Sequence, residues 1–216
     1  MVVYNVLAPY PIDLVNATPI LGAEAALEVH RSALDLAGAW VREGRAVALG
    51  EVGRAHFPVS EEVRQIIERG FRHAFEVSRD VGCPLIVHSA DLDAEGFRGL
   101  AELARQVGVP PERVVKHYAR SRVPLEERGG IVPSYLARRE LVAQVKTDPG
   151  PWFLETDFLD DPARPGAVLD LATVPRRALA LAEQLADGEA RLAVPFVESI
   201  AKVYGLHLEV ADRGVP

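Results

Sequence analysis

The chain has 216 residues, of which 49% are hydrophobic and 25% are charged, and it carries a net charge of -7. This composition excludes a disordered chain, and the length suits one domain, residues 1–216, better than two. An acidic chain is a poor non-specific binder of nucleic acid, although a bound dication would supply positive charge locally.

The residue types that are scarce indicate the setting of the protein. The single cysteine, Cys83, excludes an internal disulfide and suits a cytoplasmic protein, and no apolar run is long enough for a membrane helix. Lysine supplies only three of the 24 basic residues, and asparagine, glutamine and methionine are also rare. Such depletion is typical of thermophiles, whereas a GC-rich genome would also favour arginine over lysine. We therefore expect a cytoplasmic protein of thermophilic character.

Short apolar segments alternate with longer segments of helical periodicity. The apolar segments predict strands at 2–8, 46–49, 84–87, 114–116, 130–133 and 152–155. The periodic segments predict helices at 23–43, 59–80, 95–107, 136–145, 175–187 and 194–204. Ser60 is a predicted N-cap, and Gly44, Gly82 and Gly108 follow predicted helix ends. This alternation predicts an α/β fold with a parallel sheet covered on both faces, either doubly wound or a (β/α)-barrel.

Four predicted strands lead into a side chain that can bind a metal: Glu51, His88, His117 and Asp157. One such residue at a strand end is usually only solvated or hydrogen-bonded. Four of them, each at the same position relative to its strand, indicate a metal site more strongly. The carboxyl ends of parallel strands line the active site in βα folds, so we expect these side chains to converge. Two imidazoles and two carboxylates suit Zn, Mn, Ni, Fe or Mg, with one or two ions per chain.

The sequence around these four residues resembles the TatD-related branch of the metal-dependent amidohydrolase superfamily. The motifs that carry the resemblance are LGEVG at 49–53, PLIVH at 84–88, KH at 116–117 and LETD at 154–157. The segment at 155–169 is similar to a variant found in archaeal members, and the segment at 53–58 also resembles that branch. The resemblance runs from near residue 1 to about residue 204, and the order and spacing of the motifs are more specific than any one of them.

The resemblance implies a TIM-type (β/α)-barrel with two metal positions. Glu51 would bridge both ions, His88 and His117 would hold one, and Asp157 would hold the other and accept a proton from the attacking water. The chemistry is physically reasonable, because a bound dication lowers the pKa of water to about 7 in favourable sites. Glu51 and Asp157 are therefore the predicted catalytic residues.

Four further residues are predicted to contact the substrate. Arg54 and Arg164 lie in or beside the motifs and would meet an anionic group, although an ion pair with Asp160 or Asp161 explains them equally well. Ser134 ends another predicted strand. His56 lies five residues after Glu51, and it either faces solvent or replaces a missing ligand.

One feature of the family pattern is absent from the chain. Members of the branch carry a His-x-His pair at the end of the first strand, and no such pair occurs here. The segment at 2–11 resembles the second strand of the family. We therefore expect a barrel that is incomplete at its N-terminus, a chain truncated relative to the ancestral gene, and a homo-oligomer that covers the open side. The ion beside Asp157 would then be bound weakly.

The predicted function is a metal-dependent hydrolase of the phosphodiesterase or deoxyribonuclease type, acting on DNA ends or small phosphoesters. Two alternatives stay open. The same scaffold could hydrolyse an amide or a lactone, or the chain could be a catalytically impaired relative that acts as a binding or scaffold protein. Metal content separates the last alternative from the other two.

Overall fold

Five strands form one parallel sheet in the computed structural model, which describes residues 3–146, 148–159, 163, 169–184, 187 and 192–206. The strands are β1 (Leu49–Gly53), β2 (Leu85–His88), β3 (Val114–Ala119), β4 (Val132–Leu136) and β5 (Phe153–Glu155). They pair in sequence order, each parallel to the next. A doubly wound sheet reverses its strand order at a switch point, whereas a (β/α)-barrel does not. The order therefore confirms the barrel-type architecture.

Seven helices of the described residues connect or flank the strands. They are α1 (Pro11–Leu21), α2 (Ala23–Arg42), α3 (Glu61–Val81), α4 (Ala94–Val107), α5 (Arg139–Val145), α6 (Thr173–Gln184) and α7 (Ser199–Tyr204), the last preceded by a π-helical turn at Val194–Glu198. Within the described part of the chain, no helix combines the length and the hydropathy that a bilayer crossing requires. The crossover between β3 and β4 holds only a 3-10 turn at Leu125–Glu127.

Local signals account for most of the helix ends. The Ser60 hydroxyl accepts the Val63 amide at 3.3 Å and starts α3, as predicted. The predicted left-handed residues at 44, 82 and 108 are confirmed. Helix α1 was not predicted, because its apolar residues are spread around the helix and Pro19 lies inside it. Pro11 in its first turn and the Asp13 carboxylate, which accepts the Tyr10 amide at 3.2 Å, were the available signals.

The sheet stays open within the described residues. β5 forms one side, and on the other side the segment at 5–7 is hydrogen-bonded to the chain around β1. The predicted strand at 2–8 is reduced there to a single parallel bridge between Val6 and Ala48. As expected, the described strands do not form a closed ring.

The two faces of the sheet have different partners. The outer face packs against α2, α3 and α4 through a large apolar core that includes Leu49, Val52, Leu85, Val87 and Val114. On the inner face, apolar residues of β2, β3, β4 and β5 pack with Val203 and Tyr204 of α7. Helix α7 thus covers one part of the inner face and leaves the carboxyl ends of the strands uncovered.

Strand alternation places polar residues beyond this inner apolar layer. Residues two apart on a strand share a face, and the inner residues Ile86, Val115, Val132 and Phe153 are each followed two positions later by a polar residue. Those polar residues are His88, His117, Ser134 and Glu155. The fold therefore collects polar side chains at the carboxyl end of the inner face.

Two of the strands are irregular where they reach this polar layer. The pairing of β1 with β2 shifts register between Leu49 and Val52, and that of β3 with β4 shifts between Lys116 and Ala119. Leu49 and Val52 both join the outer core although they are three positions apart, so one residue between them is extra. Bulges of this kind redirect side chains beside active sites. Here the irregular stretches hold Glu51 and His117.

Candidate metal site

Glu51, His88 and His117 meet at the carboxyl end of the inner face. The Glu51 carboxylate lies 3.3 Å from His88 Nδ1 and 3.4 Å from His117 Nε2. The two imidazole nitrogens are themselves 3.3 Å apart. With zinc–ligand bonds of about 2.0–2.1 Å, two corners of a tetrahedral site are about 3.3–3.4 Å apart. The two imidazoles therefore have the spacing of two tetrahedral ligands, and one carboxylate oxygen of Glu51 completes a group of three donor atoms that lie within 4.8 Å of one another and form one candidate metal site.

The ring of His117 is held from behind by a carboxylate. Its Nδ1 lies 3.2 Å from Glu155 Oε1, and the same oxygen accepts the Tyr118 amide at 2.7 Å. A carboxylate behind a ligating histidine fixes the tautomer and the orientation of the ring. Glu155 therefore leaves Nε2 of His117 free to donate a lone pair to a cation.

The ring of His88 has two possible partners on its far side. Its Nε2 lies 3.0 Å from His56 Nδ1 and 3.3 Å from the Tyr10 hydroxyl. When Nδ1 of His88 binds a cation, Nε2 carries the proton and donates it to one of these acceptors. Tyr10 immediately precedes α1, so the capping contact with Asp13 also places this hydroxyl.

Charges within the cluster favour its ionised forms. Burial lowers the pKa of His117, but the hydrogen bond and the charge of Glu155, with the charge of Glu51, raise it above its ordinary value overall. Burial raises the pKa of Glu51, but the hydrogen bond from His88 and the charges of both imidazoles lower it overall. A proton on His117 competes with a cation, so metal affinity should increase as the pH rises.

A cavity of about 760 Å³ opens in front of the three ligands. Asp157, Tyr10 and His56 line it together with the cluster. Burial raises the pKa of Asp157, although the charge of His117 opposes the shift. Asp157 and Tyr118 have φ angles of 51° and 55°, in the left-handed region that non-glycine residues rarely adopt. Both residues line the cavity, so the unusual backbone is concentrated at the candidate site.

Gly53 allows β1 and β2 to approach closely beside the ligands. Its φ is 149°, and a Cβ atom there would lie 1.9 Å from the His88 carbonyl oxygen. The next residue, Arg54, donates its amide to that same oxygen at 2.9 Å. Only glycine, which has no Cβ atom, permits this close approach of the two strands.

The structure brings three of the four predicted metal ligands together. Asp157 faces the same cavity but does not belong to the three-ligand group, so the described residues provide one set of clustered ligands rather than two. The roles of Asp157 as a ligand and as a catalytic residue stay predictions.

The predicted substrate-binding residues have different positions. His56 lines the cavity. Ser134 is buried on the inner face and lines a second cavity, of about 490 Å³, next to Glu51 and Glu155. Arg54 does not line the main cavity, because its guanidinium donates to Glu68 at 2.6 and 2.7 Å. Arg164 lies outside the described residues.

Sequence reasoning missed three residues of this site: Glu155, Tyr10 and Arg120. Glu155 lay in a recognised motif, and its position two residues after Phe153 would have placed it on the face of His117. Arg120 directly follows β3 and lines the cavity. No sequence signal connected Tyr10 to His88, because 78 positions separate the two residues.

Lys116 is buried beside the site but does not line the cavity. Its Nζ donates to the His117 carbonyl oxygen and, at 3.4 Å, to the Ser89 carbonyl oxygen. Burial lowers the pKa of Lys116 to about 8, against the charges of nearby carboxylates that include Glu155 and Asp91. The ammonium group thus links the ends of β2 and β3 at the point where their histidines project.

Three comparisons show which known proteins the chain is similar to. The family model described as TatD-related DNase matches residues 2–205. The uncharacterized protein MJ1127 of Methanocaldococcus jannaschii is 34% identical over 208 residues, which cover 96% of this chain and 74% of that protein. The crystal structure of YJJV, a TatD homologue from Escherichia coli K12, superposes with a TM-score of 0.63 at 17% identity. That match covers 94% of this chain and 77% of the other, and it shows a shared fold.

Proposed function

The chain belongs to the family of TatD-related DNases, and from this premise we propose that it is a metal-dependent hydrolase of phosphodiesters. DNA ends and small phosphoesters are the proposed substrates. The observation that carries the proposal is the group of Glu51, His88 and His117, in which the two imidazole nitrogens lie 3.3 Å apart and each lies 3.3–3.4 Å from one of the two Glu51 carboxylate oxygens. This spacing suits a tetrahedral divalent cation, and the mixed imidazole and carboxylate donors suit Zn, Mn, Ni or Fe better than Mg.

Each residue of the site has a proposed part in the reaction. Glu51, His88 and His117 would hold the cation, which lowers the pKa of bound water to about 7 and polarises the phosphoryl oxygen. Glu155 orients His117 through the contact at 3.2 Å. Asp157 lines the same cavity as the ligands, and its carboxylate would accept the proton of the attacking water. Tyr10 orients His88 and presents a hydroxyl to the cavity.

Metal binding is the first test of the proposal. Protein stripped of metal should take up Zn or Mn, with the affinity measured by competition with a chelator. Replacing a ligand, as in His117→Ala, should lower the metal affinity by more than about 100-fold. Replacing a residue that only hydrogen-bonds to a ligand already lowers metal affinity by about 10–100-fold. His73→Ala is the matched control, because His73 pairs with Asp35 on the protein surface and does not line the cavity.

Substrate assays then separate the candidate functions. The metal-loaded protein should hydrolyse bis-(p-nitrophenyl) phosphate or release nucleotides from single-stranded DNA, and His117→Ala should lose that activity. Hydrolysis of a lactone or an amide without phosphodiesterase activity would support the alternative enzyme. Failure to bind any of the metals would favour a catalytically impaired relative and contradict the proposal.

A further inference from the structure

Arg120 is the one arginine or lysine among the described residues that line the cavity. The other charged residues in this wall are Glu51, Asp91 and Asp157, whose carboxylates repel an anion. Within the part of the chain that the structure describes, the guanidinium of Arg120 has no carboxylate partner. Arg120 lines this cavity and also a smaller one of about 210 Å³ beside Glu140, and among the described residues no ion pair neutralises its permanent positive charge.

The backbone of Arg120 is fixed although its side chain is exposed. Its amide donates to Asp91 Oδ1 at 3.0 Å, and the Ser121 hydroxyl donates to Asp91 Oδ2 at 3.1 Å. Both oxygens of Asp91 thus hold the loop after β3 and leave the guanidinium unpaired. The Arg120 Cζ lies 5.9 Å from the ring centroid of Tyr118, whose own amide is held by Glu155. Arg120 consequently extends from an anchored loop, three residues after the candidate metal ligand His117.

We propose that Arg120 binds a phosphate oxygen of the substrate and makes the site selective for anionic phosphoesters over neutral amides and lactones. This inference rests on the proposed function, because it names the residue that recognises the substrate of that same site. The planar guanidinium group can form bidentate hydrogen bonds to two phosphate oxygens. Such charge-assisted hydrogen bonds are about twice as strong as neutral ones. In an acidic chain, this local charge is what an anionic substrate requires.

Binding of inorganic phosphate tests the role of Arg120 without turnover. Titration calorimetry on Mn-loaded protein should show phosphate binding that is about tenfold weaker in Arg120→Met and intermediate in Arg120→Lys. Arg98→Met is the matched control, because Arg98 is exposed on α4 and does not line the cavity. Mn affinity should be the same in all variants, which shows that the metal ligands are intact.

Kinetics test whether the same residue sets specificity. In Arg120→Met the KM for bis-(p-nitrophenyl) phosphate should rise about tenfold, with a smaller change in kcat, while hydrolysis of the neutral p-nitrophenyl acetate keeps its parameters. Phosphate affinity that is unchanged in Arg120→Met, or equally reduced in Arg98→Met, overturns the inference. So does a metal-loaded wild type that does not bind phosphate. Binding through Arg120 without phosphodiester turnover supports the inference and contradicts the proposed function.

Discussion

Two clusters of charged side chains differ in whether their polar atoms are paired inside the fold or face a cavity. In the first, between the end of α5 and the loop after β3, Arg128 and Asp148 are 1% and 3% exposed and form an ion pair. Asp148 also forms an ion pair with Arg122 at 3.4 Å and accepts a hydrogen bond from the Gly150 amide at 3.1 Å. Arg128 donates to the Val123 carbonyl oxygen at 2.8 Å. Both carboxylate oxygens of Asp148 thus have donors within the chain.

The second cluster is the candidate metal site, where acceptors converge and face a cavity. Glu51 has a side chain that is 34% exposed, and its closest polar neighbours are imidazoles that also offer lone pairs. No arginine or lysine forms an ion pair with it within the described residues. A carboxylate and two imidazoles this close together need a proton or a cation between their lone pairs. We infer that the first cluster serves stability and the second serves binding.

The largest expected effect on stability comes from breaking the buried ion pair of Arg128 and Asp148. Asp148→Asn leaves the Arg128 charge buried without a counter-charge, which should lower the free energy of unfolding by about 3–5 kcal/mol. Urea unfolding of metal-free protein measures this. Asp170→Asn is the control, because its pair with Arg176 is more than half exposed on both sides and should contribute less than about 1 kcal/mol. Equal effects of the two changes would contradict the comparison.

A buried histidine outside both clusters should make the fold sensitive to acid. Burial lowers the pKa of His30 to about 4, with the charge of His73 acting in the same direction and that of Asp13 opposing it. The unfolded chain, with a histidine pKa of about 6.5, therefore binds the proton more readily. The free energy of unfolding should fall as the pH drops from about 6.5 to about 4, by about 3 kcal/mol at the lower end.

The replacement His30→Gln isolates this contribution. Urea unfolding at several pH values between 7 and 4 should show a shallower loss of stability in the variant than in the wild type. Identical pH dependence of the two proteins would mean that His30 is not held in its neutral form by burial.

Replacing a residue that orients a metal ligand should lower metal affinity less than replacing the ligand itself. Glu155→Gln keeps the size of the side chain but removes the charge behind His117, and it should lower metal affinity by about 10–100-fold. Chelator competition measures the affinity. Glu68→Gln is the matched control, because Glu68 pairs with Arg54 away from the cavity. An affinity that is unaltered in Glu155→Gln would show that Glu155 does not orient the ring.

The smallest effect on metal affinity is expected from His56, which contacts the candidate ligand His88. His56→Ala should lower metal affinity by less than about tenfold, because the Tyr10 hydroxyl can replace His56 as the partner of His88 Nε2. Removing both partners, in His56→Ala with Tyr10→Phe, should cost more than the two single changes together. A strictly additive result would mean that the two groups do not substitute for each other.

The sequence predicted the α/β layers and the convergence at the strand ends for a common reason. Both depend on local periodicity, which places Leu85 and His88 on opposite faces of one strand within four residues. Periodicity left a doubly wound sheet and a barrel open, and the resemblance to TatD-related proteins implied the barrel. The irregular register at Glu51 and His117 was beyond that reasoning, because a bulge depends on how a strand pairs with its neighbour.

Side-chain partnerships were the part that could not be predicted. Arg54 and Arg120 both follow site-bearing strands, and sequence alone gave the substrate role to Arg54. The structure pairs Arg54 with Glu68, fourteen residues away on α3, and leaves Arg120 without a carboxylate. Which arginine is neutralised depends on the packing of a helix against the sheet, which motif spacing does not encode. The substrate role of Arg164 stays a prediction.

Anomalous diffraction from crystals soaked in Zn or Mn tests the central claim most directly. The account predicts one strong peak within about 2.0–2.2 Å of the Glu51 carboxylate, His88 Nδ1 and His117 Nε2. A peak bound elsewhere, or none at these three residues in crystals soaked with either metal, would contradict it.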